Sequence, residues 1–165
     1  KYDGGYDFDL DASAFICGSN GKVLSDNQFV FYNNQEWPSE SNKIIWSTGD
    51  DRTGGEGEQI YIDFSKIPAE VDKIAITVTI DEAVNRRQNF GQVSNAYVSV
   101  AKIQNEFDTV GETVIQFDLE EEFSIETALV VCEIYRKNGE WKFNAVAAGY
   151  QGGLEALCRN YGVNV

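Results

Sequence analysis

Residues 7–11 read Asp-Phe-Asp-Leu-Asp. Successive side chains of an extended strand point to opposite faces, so Asp7, Asp9 and Asp11 share one face and Phe8 and Leu10 the other. Like charges at that spacing repel one another unless a metal or a basic side chain neutralises them, and Lys1 is the only nearby base in sequence. The first chemistry to consider is capture of a hard divalent cation. A second cluster lies at residues 48–58, Thr-Gly-Asp-Asp-Arg-Thr-Gly-Gly-Glu-Gly-Glu, where Asp50, Asp51, Glu56 and Glu58 alternate with glycines that let carboxylates and carbonyls converge on a point. Asn33 and Asn34 add amide oxygens that suit the same ion, because Ca²⁺ takes about six to eight oxygen ligands. The chain has no histidine and its cysteines lie among apolar neighbours, so zinc, copper and non-haem iron lose their usual ligands. Mg²⁺ tolerates a loose, glycine-rich assembly less well than Ca²⁺.

The same letters are also ordinary turn vocabulary: Asp50 or Asp51 can make an Asx turn or pair with Arg52. The spacing does not form an EF-hand loop, which needs acids at fixed alternate positions, a central glycine and a terminal glutamate. From the residues alone, metal site and acidic turn both stand.

The elements that must position these groups read as strands. Alternating or β-branched apolar runs between Gly, Asn, Asp and Ser predict strands at Phe8 to Cys17, Gln28 to Tyr32, Ile44 to Ser47, Glu58 to Asp63, Lys73 to Ile80, Ala96 to Ile103, Thr113 to Asp118, Ala128 to Arg136 and Glu140 to Ala148. Asn138-Gly139 predicts a type I′ hairpin turn, and Asn20-Gly21 reads in a similar way. Short helical turns are expected at Pro68 to Val71 and near Asp81 to Arg87. A C-terminal helix is expected over Gly153 to Tyr161, where Leu154, Leu157, Cys158 and Tyr161 recur at helical spacing. The fold class that follows is all-β, one antiparallel sandwich of two sheets with that helix docked on a sheet.

Composition agrees with one domain over residues 1–165, since 42% hydrophobic residues supply a core and no repeat or Pro-rich linker divides the chain. A formal charge of -14 is the opposite of an electrostatic footprint for nucleic acid or an anionic membrane surface. No apolar run approaches the roughly 20 residues of a membrane-spanning helix. Cys17, Cys132 and Cys158 form no Cys-x-x-Cys clip and read as buried thiols of a reducing compartment, which points to the cytoplasm.

Phe8 to Phe15 (FDLDASAF), Phe29 to Asn34 (FVFYNN), Thr48 to Gly54 (TGDDRTG) and Gln88 to Asn95 (QNFGQVSN) resemble motifs of the TerD family. Asn138 to Phe143 (NGEWKF), Gly149 to Leu157 (GYQGGLEAL) and Cys158 to Val165 (CRNYGVNV) are similar to its closing hairpin, linker and tail. The resemblance implies a calcium-binding β-sandwich protein of bacterial stress systems, associated with resistance to tellurite and other chemical insults and without catalytic activity. It places the calcium role on Asp9, Asp11, Asn33, Asn34, Asp50, Asp51, Glu56 and Glu58, with other proteins of the stress system as partners. Members commonly have a longer, more aspartate-rich loop than the Gly-Glu-Gly-Glu before Gln59, so a second ion is not implied. They also carry a further segment ahead of the Asp-Leu-Asp strand, so an N-terminal segment is expected to precede Lys1.

Two other classes compete. Paired carboxylates at a sandwich edge can hydrolyse a glycan, with Trp37, Trp46 and Trp141 stacking on sugar rings. The three cysteines can instead act as a thiol-based redox or metalloid sensor, which requires a basic and partly exposed neighbourhood.

Overall fold

The computed structural model describes residues 10–47, 59–81, 83, 87–89, 97–102, 112–118 and 126–164. Among the described residues ten strands run in the order β1 (Leu10–Cys17), β2 (Phe29–Val30), β3 (Glu36–Pro38), β4 (Lys43–Ser47), β5 (Ile60–Ile62), β6 (Lys73–Ile80), β7 (Tyr97–Lys102), β8 (Glu112–Asp118), β9 (Ala128–Lys137) and β10 (Glu140–Tyr150), followed by helix α1 (Gly153–Tyr161). They form a five-stranded sheet of order β10-β9-β6-β1-β2, a three-stranded sheet β3-β4-β5 and a two-stranded pair β7-β8. Every pairing is antiparallel.

The β-branched run of β6 occupies the centre of the large sheet, where both faces are covered and Val, Ile and Thr fit the pleat. Its pairing with β1 is unbroken over eight residues, from Leu10↔Ile80 to Cys17↔Lys73. That register sends Ala14, Ile16 and Ile74 to one face, against Trp37, Ile44 and Ile45 of the small sheet. Phe15, Cys17, Ala75 and Val130 go to the other, against Leu157, Cys158 and Tyr161 of α1. Helix α1, the five-stranded sheet and the three-stranded sheet are therefore stacked in that order. The expected packing of sheet on sheet is present, and the helix closes the second face of the larger sheet.

Local features follow the letters. Asn138 and Gly139 have φ of 54° and 78°, the two left-handed positions that the β9-β10 turn demands. In the other Asn-Gly only Gly21 is left-handed, at φ 78°. There the Gly21 N–H donates to Gly18 O at 3.1 Å and Gly18 N–H to Lys22 O at 2.9 Å, a longer loop than a two-residue turn. The turn at Pro68 to Val71 closes with Val71 N–H on Pro68 O at 3.1 Å. Strand β3 and the 3₁₀ turn Phe64–Lys66 were not expected from the sequence, and the second expected strand is only two residues long. Most of the turn expected near Asp81 to Arg87 lies outside the described residues.

Candidate functional site

Asp11 sits on β1 opposite Thr79 of β6, and Thr79 opposite Ala128 of β9. The next row across the same three strands is Ser13, Thr77 and Val130. The period of two that sends Leu10 towards Val78, Ile80 and Leu129 sends Asp11 to the face that carries α1. The strand reading of Asp-Leu-Asp is thus correct for the two residues that can be followed. Asp11 is 5% exposed, Ser13 1% and Thr79 3%. Ser13 Oγ is buried without a hydrogen-bond partner.

Asp11 and Thr79 line a cleft of about 210 Å³ together with Tyr32, Asp81, Thr127 and the Gly152-Gly153 corner. Every polar side-chain atom of this lining is an oxygen, and two of the residues are carboxylates. Backbone bonds hold its walls: Ile80 N–H donates to Thr127 O at 3.1 Å, and Thr127 N–H to Tyr150 O at 3.0 Å. Gly152 and Gly153 take φ of 106° and 61°, which turns the chain from β10 into α1. Gly153 N–H then donates to Thr127 Oγ1 at 3.0 Å, fixing the start of the helix at the rim of the cleft.

Of the eight residues assigned to calcium from the sequence, three fall among the described residues. Asp11 is in the cleft; Asn33 lies with Tyr32 in a tight turn that Asn34 closes by pairing with Phe31, and neither asparagine is among the cleft-lining residues. Asn34 Nδ2 donates to Asn27 O at 3.1 Å and to Phe29 O at 2.9 Å, so this amide staples the edge of β2 and only its oxygen is left to act as a ligand. Asp9, Asp50, Asp51, Glu56 and Glu58 lie outside the described residues. Among the described residues no group of three or more His, Cys, Asp or Glu comes together in a way that could hold a metal. Asp81 and Thr127, which share the cleft with Asp11, were not singled out from the sequence. They lie 70 and 116 positions beyond it, and only the β1-β6-β9 register brings them together.

The tryptophans and cysteines named by the competing classes are placed as follows. Trp37 is 6% exposed. Trp141 lies under the Arg136 guanidinium at 4.4 Å and beside Phe64 at 5.5 Å, while Trp46 stacks on Tyr61 at 5.5 Å with the Lys43 ammonium 4.9 Å from its ring. The three thiols are free and buried. Burial pushes Cys17 and Cys132 up to about 12 and Cys158 up to about 11, which favours the protonated thiol over the nucleophilic thiolate. No described helix is long and apolar enough to cross a membrane.

Fold and cleft define a class: an antiparallel β protein with one docked C-terminal helix and a buried carboxylate at the helix start. The family model described as the TerD domain matches residues 1–161, and the chain belongs to the TerD family. It is 48% identical to general stress protein 16U of Bacillus subtilis (strain 168), over 100% of this chain and 83% of that protein. It is also 48% identical to tellurium resistance protein TerD of Serratia marcescens, over 97% of this chain and 81% of that one. A crystal structure of a homologue of telluride resistance protein (TerD) from Streptomyces coelicolor A3(2) superposes with a TM-score of 0.72 at 19% identity. The match covers 92% of this chain and 85% of that one, and it shows the shared fold.

Proposed function

We propose that this protein is a calcium-binding component of a bacterial chemical-stress response of the tellurite-resistance type, acting through binding rather than catalysis. One observation carries the reading: the Asp11 carboxylate is 5% exposed in a cleft whose polar side-chain atoms are all oxygens. A hard cation takes oxygen ligands, carboxylates first among them, and a buried carboxylate among oxygens suits such an ion. Asp11 and Asp81 would hold the ion, with Thr79 and Thr127 within the same cleft. Asp9, Asn33, Asn34, Asp50, Asp51, Glu56 and Glu58 are the further candidates that the sequence supplies. When bound, Ca²⁺ contributes positive charge that relieves repulsion among these acids.

Binding of this kind becomes stability: a ligand at about a hundred times its dissociation constant adds about 2.7 kcal/mol to folding. The ordered acidic face is then the surface that other proteins of the stress system recognise. The relatives' names as stress and tellurium-resistance proteins support the cellular setting. Three free thiols suit a reducing, cytoplasmic one.

Calorimetric titration of chelator-stripped protein with Ca²⁺, using Mg²⁺ as competitor and Asp9→Ala/Asp11→Ala as control, tests the proposal. Saturable, calcium-selective heat that is lost in the variant is expected. Absence of both heat and a calcium-induced rise in Tm would leave a scaffold without an ion.

A further inference from the structure

A second cavity lies on the same face of the large sheet, between α1 and the outer strand β2. It is an open groove of about 650 Å³, within the size range of small-molecule sites. Phe29, Phe31, Leu154 and Val163 form its apolar walls, and the carboxylates of Asp26 and Glu155 stand among them. Phe15, Phe29 and Phe31 stack in sequence at 4.4 and 4.2 Å with interplanar angles of 8° and 3°, so the aromatic wall is continuous with the core and rigid.

The charges are all of one sign: no Lys or Arg is among the lining residues. Asp26 Oδ1 accepts the Asn164 N–H at 3.1 Å, a neutral donor that leaves its charge in place. Glu155 pairs with Arg159 at 2.6 Å, but the two are 64% and 63% exposed, and an ion pair so open to water is readily exchanged for another cation. Strand addition at this edge is disfavoured, because Asn34 Nδ2 already occupies the carbonyls of Asn27 and Phe29. What fits apolar walls with two acids and no accessible strand edge is a small, compact ligand carrying positive charge.

We propose that this groove is a binding site for a small organic cation with an apolar body, the body lying along the edge of the Phe29–Phe31 stack and against Leu154 and the charge between Asp26 and Glu155. The site is separate from the calcium reading, although Leu154 lines both cavities.

The test is an amide chemical-shift titration of the full chain at fixed, physiological ionic strength. Benzyltrimethylammonium is the probe, and benzenesulfonate, of similar size and opposite charge, its counterpart. Saturable shifts confined to the amides of Phe29 to Phe31, Leu154, Glu155 and Val163, seen with the cation only, are expected. Asp26→Asn/Glu155→Gln, which keeps shape and hydrogen-bonding capacity, should weaken binding at least fivefold, while Glu36→Gln/Glu40→Gln, which removes the same charge elsewhere, should not. Equal binding of the anion, shifts spread over the acidic surface without saturation, or no shifts at all would each overturn the proposal.

Discussion

Arg136 is the residue whose several contacts are least apparent from the sequence. Its guanidinium donates to the carbonyls of Val71 at 2.8 Å, Pro68 at 2.9 Å and Ile67 at 3.2 Å, and lies over the Trp141 ring opposite it in the hairpin. Three carbonyls of an irregular segment are thereby satisfied by one planar cation, a task suited to its fork of donors. Arg136→Ala should cost about 2–3 kcal/mol, because charged hydrogen bonds are lost and acceptors are stranded. Arg136→Lys should recover only part of this, since an ammonium cannot reproduce the fork or the stacking. Urea unfolding of both variants measures the difference. In the cleft, Asp81 makes a comparable demand: if it shares an ion with Asp11, Asp81→Asn should weaken calcium binding about tenfold, or about 1.4 kcal/mol, in the same calorimetry.

Among the elements, the turns separate backbone strain from packing. A Cβ at Gly139 would meet nothing within 4 Å, so Gly139→Ala should cost about 1 kcal/mol through its positive φ alone. A Cβ at Gly152 would lie 3.2 Å from that of Ala156, at φ 106°. Gly152→Ala should therefore cost more, about 2 kcal/mol or above, and should loosen the start of α1 at the cleft. Thermal unfolding of the two variants compares the costs. Strong periodicity was legible here: Lys73 to Ile80 and Gly153 to Tyr161 have the boundaries their apolar spacing predicts. Strand β3, Glu-Trp-Pro, was not, because three residues with one proline carry no alternation, and only its pairing with β4, Glu36 with Trp46 and Trp37 with Ile45, makes it a strand. The site shows the same division. Asp11 could be read from its neighbours in sequence, whereas Asp81 and Thr127 reach the cleft through register, which no local pattern encodes.

At the scale of the whole molecule, stability should depend on pH through its buried thiols. Burial raises Cys17 and Cys132 from 9.0 to about 12, and Cys158 from 9.0 to about 11; burial also raises the Tyr161 hydroxyl. Between those values the unfolded chain has released protons that the native one still holds, so stability falls as pH rises from about 9, by about 1.4 kcal/mol per pH unit for each thiol. Thermal melts from pH 8 to 11 should show this loss, and Cys132→Ala should reduce its slope. A slope unchanged in the variant would contradict a protonated, buried Cys132. The wall formed by Leu154 has a separate consequence. One side chain borders both the acidic cleft and the aromatic groove. A ligand that shifts Leu154 in one cavity reshapes the other, and thermodynamic reciprocity then requires each occupant to change the other's affinity by the same factor. Two sites on one face would read each other through a single leucine.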